Sequence, residues 1–319
     1  MAIHHRIKRT STPQAMTISE AFKEFISQKE AKNLSSSTLR NYSQSFEYFM
    51  DFNGFDDDTL ITEVKASLFF HWMNTLRLDG VRHSSINHYL RDTRAFFYWC
   101  MEVGYIEEAF QIPMVQGQEE LPKMFTDEEL MLLLEKPKPN DSFTTWRTWA
   151  IVNWVLATGN RAATICEVKK SHVDFANKQI ILAHTKNKKA QTPPPLSPAL
   201  ETALKEYIRK FQINTYLFPN IGDEQLTTNA LAHSFSRYCK DRGVERTNIH
   251  GLRHNFAKIM AQQGFSPYKL QLMLGHATQA MTQHYIKLFS EDLKEDYEKY
   301  SPLDNLKKGA SRTNKIKRK

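Results

Sequence analysis

Residues 250–285 read HGLRHNFAKIMAQQGFSPYKLQLMLGHATQAMTQHY, a stretch that combines helical patterning with reactive polar side chains. Its apolar residues recur at helical spacing. The pattern predicts helices over Gly251–Gln263, Pro267–Leu274 and about Gln279–Phe289. The same stretch carries side chains suited to acid–base and nucleophilic chemistry, namely His250, Arg253, His276 and Tyr285.

Upstream of this stretch, the second half of the chain is predicted to be mostly helical. Thr126-Asp127-Glu128-Glu129 is a capping box that begins a helix through Leu134, and Ser197-Pro198 begins another. β-Forming residues around turns predict a small sheet. The predicted strands are Val173–Phe175, Gln179–Ala183 and Lys189–Thr192, and further helices are predicted over Thr228–Arg242 and near Glu291–Tyr300.

The first hundred residues predict a separate all-α domain. Apolar residues recur at helical spacing in four segments, and turn residues such as Asn53-Gly54 and Asp79-Gly80 separate them. Four such helices bury their apolar faces in a bundle. A segment with two prolines, one glycine and no clear period follows, which indicates a linker. The predicted division is a basic arm at 1–16, a helical domain at 17–105, a linker at 106–124, a second domain at 125–300 and a basic tail at 301–319.

Composition limits the class of protein. Lysine and arginine outnumber acidic residues by 43 to 35, but the last fourteen residues supply seven of those cations and no acid. The body is therefore near neutral, and its net charge does not establish a nucleic-acid partner; a solvated tail is the alternative. Three widely spaced cysteines, no apolar signal segment and no long apolar run predict a soluble intracellular protein without a membrane span, cytoplasmic in a bacterial host.

Four short segments of the second domain carry groups suited to breaking a DNA strand without metal. Such a reaction needs a nucleophile, positive charge on the phosphate oxygens and an acid for the leaving oxygen. The segments are Ala157–Arg161, Thr185–Lys189, His250–His254 and Leu274–His276, and Tyr285 follows His276 by nine residues.

This ordered set resembles the tyrosine recombinase, or phage-integrase, family. That family has arginine in a T-G-x-R turn, lysine on a β-hairpin, H-x-x-R, and L-G-H with a tyrosine nine residues later. Residues 84–98, SSINHYLRDTRAFFY, also resemble the last long helix of its core-binding domain. The resemblance implies a mainly α fold with a small β-sheet, an N-terminal helical core-binding (SAM-like) domain at 17–105 and an α/β catalytic domain at 125–300.

The resemblance also implies roles for the arginines and the tyrosine. Arg161 and Arg253 would clamp the scissile phosphate, because a guanidinium fork matches two phosphate oxygens. Tyr285 would attack phosphorus and form a 3′-phosphotyrosyl bond. The competing tyrosines, Tyr268, Tyr297 and Tyr300, lack the spacing from L-G-H. No metal or other cofactor is expected, because the arginines carry the phosphate charge.

Three further roles follow from the same resemblance. Lys186 would protonate the departing 5′-oxygen; Lys188 is the nearby alternative, although counting back from Pro194-Pro195-Leu196 favours Lys186. His250 would assist proton transfer at the tyrosine, and His276 would hydrogen-bond the phosphate. For each histidine, a satisfied place in the core is the alternative.

One position departs from the family pattern. Three residues after the turn arginine the family usually has Glu or Asp, whereas this chain has Thr164. Glu167 lies six residues after Arg161, which is the wrong face of a helix. Because that acid orients catalytic groups, its absence bears on the rate of the reaction and leaves its class unchanged.

The first domain offers candidate DNA contacts on its polar surface. Asn87, Arg91 and Arg94 share one helix face, so they could enter a groove together; an ordinary polar face is the alternative. The full set of candidates is Arg40, Arg82, His83, Asn87, Arg91 and Arg94.

The resemblance implies a clamp of two domains around duplex DNA, with a homotetramer on two paired sites and accessory DNA-bending proteins as a further partner class. The short N-terminal arm favours the two-domain Xer or transposon type. Two alternatives stay open. A type IB topoisomerase would use nearly the same residues as a monomer, and a non-catalytic relative would bind DNA without cutting it.

Overall fold

The computed structural model describes residues 16–117, 124–182 and 195–275. The chain divides into two compact units, Met1–Glu120 and Leu121–Lys319. The described part is mainly helical with a small sheet, as the sequence predicts, and the sheet has two strands in these ranges. No helix in these ranges is long and apolar enough to cross a bilayer.

The first unit is a bundle of four helices, and capping residues mark several of their ends, although the fourth begins at His83, whereas the sequence predicts Ser84 as its cap. Thr17 and Glu20 form a capping box at the first helix, and Ser35 caps the second. Gly54 and Gly104 end the second and fourth helices in the left-handed conformation. The helices are α1 (Ile18–Ala31), α2 (Ser36–Asn53), α3 (Ala66–Leu78) and α4 (His83–Val103).

Aromatic side chains fill the core of this bundle. Phe22 stacks on Phe46 with ring centroids 3.8 Å apart, and Phe96 meets Phe22 edge-on. Such pairs add to the stabilisation from apolar burial. The sequence predicts a third helix roughly from Glu63 to Leu78, whereas α3 begins at Ala66. A 3-10 turn over Ile61–Glu63 comes first, and the Glu63 carboxylate accepts the Leu60 N–H.

The second unit is built around a helix that is buried on nearly every side. Helix α6 (Phe143–Thr158) packs against four neighbouring helices and buries Trp146, Trp149 and Trp154. A helix that is apolar all round lies in the interior of a domain. The other helices are α5 (Asp127–Leu134), α7 (Ala162–Glu167), α8 (Pro198–Phe211), α9 (Thr228–Lys240), α10 (His250–Gln262) and α11 (Pro267–Leu274).

The small sheet of this unit is an antiparallel pair. Strand β1 (Val173–Asp174) pairs with β2 (Gln179–Ile180), with Val173 opposite Ile180. The predicted strand over Lys189–Thr192 and the helices predicted over Gln279–Phe289 and Glu291–Tyr300 lie outside the described residues. The three cysteines are free and buried, in agreement with structural thiols.

Candidate active site

The site begins at the turn that ends α6. Gly159 has φ +64, a left-handed conformation that disfavours any residue with a Cβ. A Cβ built here would lie 2.5 Å from the Phe256 ring and 2.9 Å from Leu274 Cδ2. Two independent features therefore require glycine at this position: the left-handed backbone conformation and the close approach of α10 and α11.

Asn160, the next residue, anchors this turn to the core. Its side chain is buried, and its Oδ1 accepts a 2.8 Å hydrogen bond from Trp154 Nε1 on α6. Its backbone N–H donates to Thr158 Oγ1 at 3.3 Å. Because these partners are buried as well, the turn has little freedom to move, and it presents the following residue in one direction.

Arg161 follows as the N-cap residue of α7 and extends its half-buried side chain towards the end of α11. Its Nη1 donates to the Leu274 carbonyl at 3.2 Å, and its Nη2 donates to the Gly275 carbonyl at 3.3 Å. The T-G-x-R turn and the first two residues of the L-G-H motif are therefore in direct contact.

Arg253 reaches the same place from α10. Its side chain is 2% exposed, with Nη1 donating to the Gly159 carbonyl at 2.6 Å and Nη2 donating to the Leu274 carbonyl at 2.9 Å. Both arginines thus share the Leu274 carbonyl as an acceptor. Arg161 is the more exposed of the two. Arg253 is buried, and its bonds to the Gly159 and Leu274 carbonyls hold the ends of α6 and α11 together.

The electrostatics of this place favour an anion beside the arginines. Two guanidinium groups that meet at one carbonyl repel each other, and the carbonyls at the C-terminal end of α11 offset only part of that charge. A phosphate oxygen placed beside them would lower the repulsion and accept charge-assisted hydrogen bonds.

His250 stands at the first position of α10, near both arginines. Its backbone N–H donates to Asn248 Oδ1 at 3.0 Å, and its ring meets the His254 ring edge-on at 4.9 Å. His250 is exposed to solvent, yet the partial desolvation of its ring by the surrounding protein lowers its pKa below the ordinary value, and the charges of Arg253 and Arg161 lower it further. A neutral imidazole at neutral pH can accept a proton.

The position that departs from the family pattern lies on α7. Thr164 is half-buried and Glu167 is exposed. None of the ion pairs found among the described residues joins Glu167 to an arginine. In the same ranges, no group of His, Cys, Asp and Glu side chains is arranged to hold a metal ion.

The candidate DNA contacts of the first unit differ in exposure and in bonding partners. Arg40, Arg82, His83 and Arg91 are exposed. Arg94 is half-buried and lies over the Tyr98 ring, 4.8 Å from its centroid. Asn87 is half-buried, and its amide bonds to both backbone groups of Val115, which gives it a structural role that the helical face alone does not indicate.

The described residues include only part of the site that the sequence predicts. The structure brings together Arg161, Arg253 and His250, whereas Lys186, His276 and Tyr285 lie outside the described residues. Sequence reasoning did not identify Asn160 or Asn255 as site-supporting residues. Asn160 stands within the T-G-x-R motif and bonds to Trp154, only six residues earlier, so its signal was local. Asn255 follows the H-x-x-R motif, but its partner, Phe125, is 130 residues away.

Comparison with known proteins identifies the family. The model of the phage integrase family matches residues 123–292, and that of the phage integrase N-terminal SAM-like domain matches residues 20–104. Tyrosine recombinase XerA of Pyrococcus furiosus is 30% identical over 292 residues, which cover 90% of this chain and 96% of that protein. Tyrosine recombinase XerC of Thermodesulfovibrio yellowstonii is 28% identical, covering 86% and 93%.

Solved structures share the fold at lower identity. The Tn1549 transposon integrase in complex with transposon right end DNA superposes with a TM-score of 0.74 at 18% identity, covering 90% of this chain and 100% of that one. A lambda integrase tetramer bound to a Holliday junction gives 0.69 at 15%, covering 86% and 78%. The ordered motifs, the two matched domains and the full-length relatives agree: this chain belongs to the phage integrase family of tyrosine recombinases.

Proposed function

We propose that this chain is a site-specific DNA recombinase that cuts and rejoins duplex DNA through a 3′-phosphotyrosyl bond to Tyr285. The observation that supports it best is the meeting of Arg161 and Arg253 at the Leu274 carbonyl, two residues before His276. Relatives named tyrosine recombinases match nearly the whole chain, which supports the same activity.

In this proposal the arginines stabilise the charge that develops on the phosphate. Arg161 donates to a non-bridging oxygen, and Arg253 supplies a second positive charge and keeps the turn in place. Preorganised charge of this kind lowers the barrier because no reorganisation is needed when the reaction occurs. His276 adds a hydrogen bond to the same phosphate.

The proposed proton transfers balance the cleavage step. The Tyr285 hydroxyl gives its proton to neutral His250 as its oxygen bonds to phosphorus. The bond from phosphorus to the 5′-oxygen breaks, and that oxygen takes a proton from Lys186. Rejoining is the reverse, with a 5′-hydroxyl attacking the phosphotyrosine. The bond energy is conserved throughout, so no external energy source is required.

The proposal also includes the organisation of the chain and its assembly. The core-binding domain at 17–105, the linker at 106–124 and the catalytic domain at 125–300 would clamp duplex DNA, between a basic arm at 1–16 and a basic tail at 301–319. The first-domain cations Arg40, Arg82, Arg91 and Arg94 and the side chain of His83 would lie near DNA. Four protomers would act on two paired sites, which the lambda integrase tetramer on a Holliday junction supports.

The decisive experiment is capture of the covalent adduct. A pool of randomised, nicked duplexes is incubated with the full chain, and adducts that survive denaturation are isolated and sequenced. The wild type should enrich one sequence, and Tyr285→Phe should bind the enriched duplex with unchanged affinity but form no adduct. Tyr268→Phe, which changes an exposed tyrosine on α11, is the matched control and should react normally.

Other outcomes have definite meanings. An adduct that persists with Tyr285→Phe would place the nucleophile elsewhere. A wild-type chain that binds a duplex but never forms an adduct would favour the non-catalytic alternative. Relaxation of supercoiled plasmid by a monomer, without exchange between paired sites, would favour a type IB topoisomerase.

A further inference from the structure

The chain leaves the first unit along a well-anchored segment, residues 106–117, which we call the strap. Ile106 and Ile112 are 7% and 3% exposed and belong to the core of the first unit. The Ile112 N–H donates to Tyr98 Oη on α4 at 3.3 Å. The strap, which forms the first part of the proposed linker at 106–124, is therefore packed against the core of the first unit.

Asn87 holds the far end of the strap. Its Nδ2 donates to the Val115 carbonyl at 2.9 Å, and its Oδ1 accepts from the Val115 N–H at 2.8 Å. An amide side chain offers one donor and one acceptor side by side, so it can satisfy both backbone groups of one residue. Two residues later Gly117 passes the His83 ring so closely that a Cβ would overlap Nδ1.

Where the chain enters the second unit, a second asparagine also bonds both backbone groups of a single residue. Asn255 on α10 is 2% exposed, its Nδ2 donates to the Phe125 carbonyl at 2.7 Å, and its Oδ1 accepts from the Phe125 N–H at 2.9 Å. Arg246 donates to the neighbouring Met124 carbonyl and, at 3.1 Å, to Glu129.

The two asparagines thus hold the chain on either side of residues 118–123. Asn87 lies on α4, which carries most of the candidate DNA contacts of the first unit. Asn255 lies two residues after Arg253, on the helix that also carries His250. Each bond pair ties the connection to a helix that the proposed function places near DNA.

We propose that Asn87 and Asn255 are positioning residues that limit the connection between the two units to residues 118–123 and thereby raise the affinity of the whole chain for DNA. The inference rests on the proposed function, since it assumes that both units bind one duplex. In this role Asn87 acts through Val115 and does not read the DNA itself.

The expected effect follows from chain length. When one unit is bound, the second binds at an effective concentration that falls roughly as the −3/2 power of the length of the connection. Without the Asn87 contact, residues 113–117 are held only by the apolar packing of Met114 and Val115 on the first unit. Their full release would add five residues to residues 118–123 and nearly double the length of the connection. The effective concentration should then fall by up to roughly two- to threefold.

The test compares Asn87→Ala and Asn87→Asp in the full chain, on the duplex enriched by adduct capture. Asn87→Ala should raise the half-saturating DNA concentration by up to roughly two- to threefold and leave the cleavage rate at saturating DNA unchanged. Asn87→Asp keeps the acceptor for the Val115 N–H and should fall between wild type and Asn87→Ala. If Asn87 contacted DNA directly, the added carboxylate would face phosphate and Asn87→Asp would be worse than Asn87→Ala.

Asn255→Ala tests the other end and should raise the half-saturating DNA concentration in the same direction. The matched controls are Asn53→Ala and Asn153→Ala, each of which removes one bond within a single helix and should leave DNA binding unchanged. Should Asn255→Ala fail to fold, shown by its unfolding transition, the Asn87 series decides the matter.

Hydrogen exchange tests whether a change in DNA affinity comes with loss of the contact between Asn87 and Val115. The Val115 amide should lose protection in Asn87→Ala and keep most of it in Asn87→Asp. A wild-type chain that forms no adduct would overturn the proposed function itself. A wild-type chain that reacts normally, beside an Asn87→Ala variant with unchanged half-saturation or an Asn87→Asp variant weaker than Asn87→Ala, would overturn the positioning role alone.

Discussion

Replacing Gly159 by alanine tests the geometry on which the candidate site depends. The added methyl group would occupy a left-handed backbone position and would meet the Phe256 ring at 2.5 Å and Leu274 at 2.9 Å. Neither neighbour can swing into solvent, because Phe256 is 4% exposed and Leu274 is fully buried. The substitution should therefore disturb both backbone conformation and packing.

The loss of stability in Gly159→Ala can be estimated by comparison with a control glycine in the same unit. Gly243 has φ +71 and nothing within 4 Å of its built Cβ, so Gly243→Ala meets only the backbone penalty, about 1–2 kcal/mol. Gly159→Ala adds an overpacking cost of about 1–3 kcal/mol. The difference should separate the unfolding temperatures of the two variants by roughly 2–12 °C in a unit of this size.

The cleavage rates of Gly159→Ala and Gly243→Ala should differ by more than their stabilities do. The Gly159 carbonyl accepts from Arg253 at 2.6 Å, and Arg161 follows two residues later, so a shift of the turn moves both charges. A misplacement of about 1 Å can cost roughly a hundredfold in rate. Thermal unfolding and single-turnover adduct formation are measured for Gly159→Ala, Gly243→Ala and the wild type. Equal stability and equal rates in the two variants would refute the packing and the role of the turn.

Three further predictions concern charge and catalysis. At subsaturating DNA the cleavage rate should be level near neutral pH and fall about tenfold per unit only below pH 6.5, because His250 has a lowered pKa and must be neutral to accept a proton; an acid limb centred above pH 6.5 would contradict this. Thr164→Glu should change the single-turnover rate by no more than roughly ten- to a hundredfold, and an adduct formed by this variant but never by the wild type would show that Thr164 disables the site. Deleting residues 307–319 should weaken DNA binding at low salt and flatten its salt dependence if those seven cations meet phosphate; an unchanged slope would leave the tail solvated.

Much of the fold was predictable because the signals for it are local. The Thr126 capping box, the Ser197-Pro198 helix start and the α11 bounds all appear in the structure as predicted. Each depends on interactions within a few residues, where side-chain chemistry and spacing decide the conformation. The family assignment had the same basis, since it depended on motif order and spacing, and the comparisons confirm it.

The exposure of the site residues was not predictable in this way. The sequence placed Arg161 and Arg253 together as a phosphate clamp, but it did not indicate that Arg253 would be 2% exposed and bonded to backbone carbonyls. A charged side chain is normally exposed, and only the packing of α6, α10 and α11 around it supplies the acceptors that offset its burial.

Sequence alone was sufficient for most of the described helices and for the family, because periodicity, caps and motif spacing are properties of short segments. The tertiary structure decided which polar groups meet. Asn255 and Phe125 are 130 residues apart, Arg161 and Leu274 are 113 apart, and Asn87 and Val115 are 28 apart. Such pairs form because buried donors and acceptors must be satisfied once the helices pack, and that packing is a property of the whole unit, which no short segment encodes.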